Sequence, residues 1–221
     1  MCKKEFNKGF EMNIVITGAP GSGKGSRTPI IEKIYNIPTI STGNILRAEV
    51  EAGTELGKKA KGIMDSGGLV SDDIIIGILA NRLKQDDCKN GFILDGVPRT
   101  LVQAQMIDSE GIKIDKVLVV EVPEDVIVER LSGRRVCPKC GASYHIADKP
   151  SKEEGICDVC GDELIVRKDD EKDVVIARLR TYYEQTEPII GFYQGKGVSV
   201  GYIDANRPFE EAEAAVKEAL K

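Results

Sequence analysis

Short, nearly continuous apolar runs alternate along this chain with longer stretches in which apolar residues recur at helical spacing. Ile14-Val15-Ile16, Phe92-Ile93-Leu94, 117–120 and 198–203 are the clearest runs, and a shorter one lies at 38–40. A strand exposed on one face alternates apolar with polar residues, whereas runs this unbroken suit parallel strands covered by helices on both faces. Between them the spacing predicts helices over 24–35, 71–85, 100–109, 124–131, 171–191 and 209–220. Pro123 stands before one of these, and Pro208 with Glu210 and Glu211 opens the last. Both are start signals, because proline's fixed φ suits a first helical turn and acidic groups favour the positive end of the helix dipole. Pro29 lies early within the first helix, where it removes a backbone donor and is expected to bend the axis. The pattern is one of repeated β-α units, and predicts an α/β fold built on a doubly wound parallel five-stranded sheet flanked by helices.

Two stretches fall outside the alternation. Residues 42–70 read as small helices punctuated by Gly43, Gly53, Gly57, Gly67 and Gly68, and 133–169 carry little periodicity of either kind. Both read as inserts on the α/β body, which then comprises 13–41, 71–132 and 170–221, with 1–12 as an N-terminal extension. A chain of 221 residues with 41% apolar positions has material for one substantial core. Its 31 basic against 36 acidic residues give a net charge of −5, which excludes a nucleic-acid binder held by bulk positive charge but not a local basic pocket. No apolar run approaches the roughly 18 residues of a membrane span. The first residues mix Lys3, Lys4, Glu5 and Lys8 with isolated phenylalanines, unlike a secretion signal, so a cytoplasmic protein is expected.

The first strand and first helix are joined by Gly18-Ala19-Pro20-Gly21-Ser22-Gly23-Lys24, a GxxxxGK loop in the strand-loop-helix context that the motif needs. Its glycines let backbone N–H groups curl around phosphate oxygens, the helix N-terminus adds positive potential, and Lys24 supplies a mobile charge for β- and γ-phosphates. A glycine-rich turn without a ligand is the bland alternative, and the flanking elements argue against it. Gly25, rather than a serine or threonine, follows the lysine, and Ser26 comes next. GAPGSGKG resembles the phosphate loop of adenylate kinases and their nucleoside monophosphate kinase relatives. The resemblance continues through Ser41-Thr42-Gly43-Asn44-Ile45-Leu46-Arg47, through Asn90-Gly91-Phe92-Ile93-Leu94-Asp95-Gly96-Val97-Pro98-Arg99-Thr100, and through Gly133-Arg134-Arg135 and Arg167-Lys168-Asp169-Asp170.

A triphosphate brought into line with a monophosphate concentrates negative charge that cations must offset, and guanidinium groups suit that work because they never lose their charge and bind bidentately. The resemblance implies a P-loop fold in which 42–70 is the helical insert binding the acceptor monophosphate. It implies that Gly21, Ser22, Gly23, Lys24, Gly25, Ser26, Arg130, Arg134 and Arg207 hold ATP. It places Thr42, Arg47, Gly96, Arg99, Gln103, Arg167 and Arg178 around AMP, and gives Lys24, Arg99, Arg134, Arg167 and Arg178 the catalytic charges. Asp95 ends an apolar strand, where open α/β sheets place ligands, and is expected to bind Mg2+ through water; capping the following turn is its structural alternative. Thr42, Thr100 and Gln103 match the adenine-directed pattern, while Asn44 stands for the family's usual Asp and Val97 for its usual aromatic.

Of the six cysteines, Cys137 and Cys140 form one CxxC pair and Cys157 and Cys160 another, while Cys2 and Cys88 are isolated and without a role. The paired spacing is that of a tetrathiolate zinc site, closed to substrate and so structural, with redox-active or free thiols as the alternative. Gly141 and Gly161 follow the two pairs and let the backbone turn its N–H groups toward the sulfurs. Metal binding on the order of 10 kcal/mol can order a segment too short for its own core. In zinc-bearing members of the family this zinc-ribbon-like insert is the lid over ATP, with the Tyr144-His145 pair belonging to it structurally. Lid closure, of which adenylate kinases are themselves a known example, delivers arginines from both hinges and excludes water. The expected activity is an ATP:AMP phosphotransferase, reversibly giving two ADP with Mg2+, acting as a monomer without nucleic acid, membrane or obligate protein partner. A kinase for another or broader acceptor base is one alternative. A zinc-ribbon nucleic-acid module with a nucleotide switch is another, although the cysteine segment lacks a stacking platform of aromatics.

Overall fold

The computed structural model describes residues 12–221, so Cys2 and all of the expected extension before Met12 lie outside the described residues. In chain order, β1 (Met12–Thr17) leads to α1 (Lys24–Tyr35) and β2 (Thr39–Ser41). The first insert holds α2 (Thr42–Glu51) and α3 (Glu55–Asp65), and is followed by α4 (Asp72–Leu83), β3 (Gly91–Asp95), α5 (Leu101–Ser109), β4 (Lys116–Glu121) and α6 (Glu124–Ser132). The second insert begins with β5 (Arg134–Val136) and β6 (Ser143–His145), and the chain ends through α7 (Lys172–Thr181), α8 (Pro188–Gly195), β7 (Ser199–Asp204) and α9 (Ala212–Ala219).

The five strands β2-β3-β1-β4-β7 form one parallel sheet in that order. Successive residues of β4 explain its unbroken apolar run. Val117 and Val119 face a core with Leu79, Ala104, Ile107 and Ile189, while Leu118 and Val120 face a second core with Ile31, Ile203, Ala215 and Val216. Each face is buried by helices, so neither can be polar.

The structure differs from the sequence reading in three places. The helix expected over 171–191 is divided: α7 opens into a π turn at Tyr182–Thr186, closed by Glu187 N donating to Tyr182 O at 2.9 Å, before α8 starts at Pro188. Pro188 has no N–H to continue the preceding ladder and suits a first helical position. The expected last helix starts as a 3-10 turn at Phe209–Glu211 before α9. In the second insert, β5 and β6 pair as an antiparallel hairpin whose three-residue strands are too short to show periodicity. Pro29 does not break α1: the Gly25 carbonyl that its missing N–H would have bonded receives the Thr28 hydroxyl at 3.4 Å.

Close approach fixes one glycine of the sheet. A Cβ on Gly201 would lie 2.0 Å from Ala219 O, so β7 and α9 touch through backbone. Gly201→Ala is expected to lower stability by about 1–3 kcal/mol, a fall of roughly 2–12 °C in melting temperature. Gly77 sits in α4 with no atom within 4 Å of a Cβ. Gly77→Ala is expected to stabilise by about 0.5–1 kcal/mol. Differential scanning calorimetry of the two variants should give shifts of opposite sign.

Candidate active site

The turn between β1 and α1 is built on left-handed glycines, with φ of 81° at Gly21 and 95° at Gly23. It is also wedged: a Cβ at Gly18 would meet Val120 O at 2.4 Å, and one at Gly21 would meet the Leu131 side chain at 2.8 Å. Lys24 opens α1 and folds back over the loop, its Nζ donating to Gly18 O at 2.6 Å and Ala19 O at 2.9 Å. Burial pushes its pKa down to about 8; Asp95 opposes the fall, and Arg99, Arg178 and Arg134 add to it. Ser22 is 1% exposed and its Oγ has no partner among the described residues, a buried polar atom left for a ligand to satisfy. Gly25 and Ser26 lie exposed on the first turn of α1.

Beyond the loop, arginines from separate elements converge. Arg47 stands on α2, Arg99 follows β3, Arg134 opens β5, Arg167 precedes α7 and Arg178 lies within it. Burial, followed by the charges of Arg47 and Arg134, pushes the Arg167 pKa down to about 9, and its Nε has no partner among the described residues. Arg47 is lowered to about 10 by burial, against the pull of Asp169 and with the push of Arg134, Arg99 and Arg178. Arg99 is lowered by burial and then by Arg178. These depressions express mutual repulsion in a partly desolvated space, which an arriving polyanion relieves. The main counter-charge is Asp170, whose side chain is 1% exposed. It accepts from Arg134 Nε at 2.7 Å and from Arg134 Nη2, and from Arg178 Nη1 at 3.2 Å. Arg178 also pairs with Asp169 at 3.0 Å.

At α2 and at the turn after β3, two guanidinium groups lie against glycines. A Cβ at Gly96, where φ is 80°, would stand 2.9 Å from Arg99 Nη2, and one at Gly43 would stand 3.2 Å from Arg47 Nη2. Thr42 is buried and donates to Gly96 O at 2.9 Å, while Asn44 Oδ1 accepts from Arg47 at 2.6 Å. Gln103 is 1% exposed and fixed at both ends of its amide: Oε1 accepts from Arg99 N at 2.7 Å and Nε2 donates to Asp72 Oδ1 at 2.8 Å. Thr100 Oγ1 donates to the same carboxylate oxygen at 3.1 Å and accepts from Gln103 N at 3.1 Å, capping α5. Thr186, in the π turn, holds the Arg99 carbonyl at 2.9 Å. Asp95 is half-buried at the carboxyl end of β3, and its charge is felt by both Lys24 and Arg99.

Val97 is 1% exposed and belongs to the apolar core. Arg130 donates to Ala205 O at 2.7 Å and to Ser22 O at 3.5 Å, placing it behind the phosphate loop. Arg207 lies apart from the converging arginines, bonded to Glu218 at 3.1 Å and near Asp204 at 3.7 Å. Asp72, Thr186 and Asp170 are given no role by the sequence reading. Asp170 alone left a signal, as an acid inside an arginine-bearing motif; the other two depend on long-range contact.

The four cysteines Cys137, Cys140, Cys157 and Cys160 bring their sulfurs within 4.8 Å of one another. Four sulfurs around one ion at the usual zinc–sulfur distance of about 2.3 Å would be some 3.8 Å apart, close to the 3.4 Å of Cys137–Cys160 and the 3.5 Å of Cys140–Cys157. Gly141 and Gly161 turn at φ of 74° and 73°, each returning its N–H to the first cysteine's carbonyl of its pair. The N–H groups of Ala142 and Asp162 face the sulfurs of Cys140 and Cys160. Donor set and spacing therefore fit a tetrahedral metal. His145 is no part of the cluster; its Nδ1 accepts from Ala147 N and Asp148 N. This insert faces α2 across a cleft of about 420 Å³, with Asn44, Arg47 and Glu51 on one side, Val136 and Lys139 on the other, and Arg167 lining it too.

The adenylate kinase family model matches residues 16–198. An adenylate kinase of Caldicellulosiruptor saccharolyticus is 51% identical over 214 residues, covering 95% of this chain and 98% of the relative. One from Methanosarcina mazei is 50% identical over 212 residues, with 93% and 98% covered, and one from Oceanobacillus iheyensis is 49% identical over 213 residues, with 93% and 99% covered. The loop, the convergent arginines and this near full-length similarity lead to one conclusion: the chain belongs to the adenylate kinase family.

Proposed function

We propose that the chain transfers the γ-phosphoryl group of ATP to AMP, reversibly giving two ADP, with the residues above in distinct roles. The observation that carries this is the convergence of Lys24, Arg47, Arg99, Arg134, Arg167 and Arg178 with little counter-charge beyond Asp95, Asp169 and Asp170. Such a space favours a highly charged anionic ligand over any neutral one.

In this reading the loop amides and Lys24 take the β- and γ-phosphates, with Gly21, Ser22, Gly23, Gly25 and Ser26 completing the loop. Arg130 steadies the loop and Arg207 belongs to the donor side. Arg47 and Arg99 hold the AMP phosphate, and Gln103 with Thr42 and Gly96 shapes the place of its base. Arg134, Arg167 and Arg178 offset charge on the group in flight. The attacking phosphate oxygen is already anionic, so no general base is required, and catalysis consists of alignment, charge stabilisation and exclusion of water. Adenylate kinases use Mg2+ with ATP; here Asp95 would hold the ion through water, and when bound it neutralises phosphate charge. The four cysteines would hold a structural Zn2+ that orders the lid insert, 133–169, against the acceptor insert, 42–70. The division of the body into 13–41, 71–132 and 170–221 belongs to the same proposal, as does a monomeric, cytoplasmic protein that engages no nucleic acid. Among the described residues no helix is long and apolar enough to cross a membrane.

Steady-state rates with AMP, GMP, CMP and UMP test the acceptor assignment; a preference for any base other than adenine overturns it. Lys24→Met is expected to lower turnover roughly 100- to 1000-fold in a folded protein. The Lys24 pKa of about 8 sets a sign for pH dependence. Below it the free enzyme carries the charge already; above it ATP binding must be coupled to uptake of a proton from solvent by Lys24, so KM for ATP stays flat below pH 8 and rises above. Calorimetry at pH 9 in buffers of different ionisation enthalpy should show proton uptake on ATP binding that Lys24→Met reduces. Cys157→Ser is expected to release metal, seen by elemental analysis, and to lower the melting temperature.

A further inference from the structure

Arg27 has no place in the roles above, yet it is 5% exposed and lies one helical turn beyond Lys24. Burying a guanidinium is costly unless its donors are used. Its Nη1 reaches Gly23 O at 3.5 Å, its Nη2 reaches Ala205 O at 3.4 Å, and its Nε has no partner among the described residues. Arg130 works from the other side on the same groups, at 2.7 Å from Ala205 O and 3.5 Å from Ser22 O. The two guanidinium groups repel each other, and Asp204 offsets this only in part: burial and then Arg130 lower the Arg27 pKa. A Cβ at Gly23 would stand 2.6 Å from Arg27 Nη1, so the guanidinium lies directly against the loop.

The peptide plane turns this arrangement into a function. In a trans peptide the C=O of one residue and the N–H of the next point in opposite directions. A charge that draws the Ser22 and Gly23 carbonyls outward therefore aims the Gly23 and Lys24 N–H groups inward, where the loop receives phosphate. It also polarises those peptides, which strengthens the inward donors.

We propose that Arg27, paired with Arg130, is a positioning residue of the phosphate loop: it holds the loop's carbonyls from behind and so prepares its N–H groups for the donor polyphosphate. The proposal deepens the reading of the loop as the ATP site and rests on it. It separates Arg27 from a contact to the nucleotide base, because its nearest polar groups are backbone carbonyls of the loop and of the turn after β7.

The test uses the full chain and the variants Arg27→Met, Arg27→Lys and Arg27→Gln, with ATP, AMP and inorganic tripolyphosphate as probes. Arg27→Met should raise KM for ATP and Kd for tripolyphosphate in parallel, by about tenfold, as loss of a charged hydrogen-bonding group does. KM for AMP at saturating ATP should stay within about twofold, and Arg27→Lys should recover most of the loss because it restores the charge. Three outcomes overturn the proposal: equal weakening of ATP and AMP, a lower melting temperature with unchanged KM values, or weaker ATP with unaltered tripolyphosphate binding, which would mark a base contact. Should Arg27→Met fail to fold, Arg27→Gln takes its place, since it keeps donors without the charge and is expected to weaken tripolyphosphate. Failure of the unaltered protein to convert AMP would count against the phosphotransfer reading, whereas the tripolyphosphate comparison judges Arg27 by itself.

Discussion

The constraint on which the site depends is the enforced proximity of like charges. Arg47, Arg99, Arg134, Arg167, Arg178 and Lys24 come from six separate places in the chain, and nothing in their own chemistry brings them together. They are held by what surrounds them: two apolar cores fix the sheet, the sheet fixes the carboxyl ends of β1 and β3, and the buried Asp170 ties Arg134 to Arg178. Folding therefore stores electrostatic repulsion that anionic ligands release. A site that is uncomfortable without ligand is one that binds polyanions.

Glycine supplies the space in which this crowding is possible. Arg47 lies over Gly43, Arg99 over Gly96 and Arg27 over Gly23, each at a distance that a methyl group would contest. The same economy of backbone appears where β7 meets α9 at Gly201. The two inserts add a further layer, because neither has an apolar interior comparable to the body. The first insert leans on the core through Leu46, Ala60 and Val70, and the cysteine insert has only a small cluster about Tyr144 and Leu164. The four sulfurs, gathered at a spacing that fits one metal ion, would supply that order once an ion is bound.

How much of this could be read from the sequence follows from the range of the interactions involved. Strands buried on both faces announce themselves by unbroken apolar runs, so the five-stranded parallel sheet was legible from Ile14-Val15-Ile16, Phe92-Ile93-Leu94 and the valines of β4. The phosphate loop and the paired cysteines were legible because their chemistry is packed into a few adjacent residues. The π turn before Pro188 was not, and the bond it carries, from the Thr186 hydroxyl to the Arg99 carbonyl, joins residues far apart in the chain. Asp72 was missed for the same reason: an acid at a helix start looks like a dipole partner, and only the fold shows Thr100 and Gln103 sharing its oxygen. Arg207 is a further case: its contacts to Glu218 and Asp204 could not be read from the resemblance that assigns it to ATP.

One hinge of the cysteine insert carries a consequence for how this sequence can drift. Gly133 is buried, and a Cβ on it would stand 2.2 Å from Nε2 of His145, so the imidazole occupies the volume that any other residue would need. The ring is itself pinned by two amides from the turn that follows β6, and swinging aside would break both bonds. Random replacement across this insert should therefore find the exposed Lys139 and Glu154 permissive to almost any letter of the genetic alphabet. Position 133 should accept a larger residue only in company with a smaller one at 145, a pair of changes that lineages must acquire nearly together.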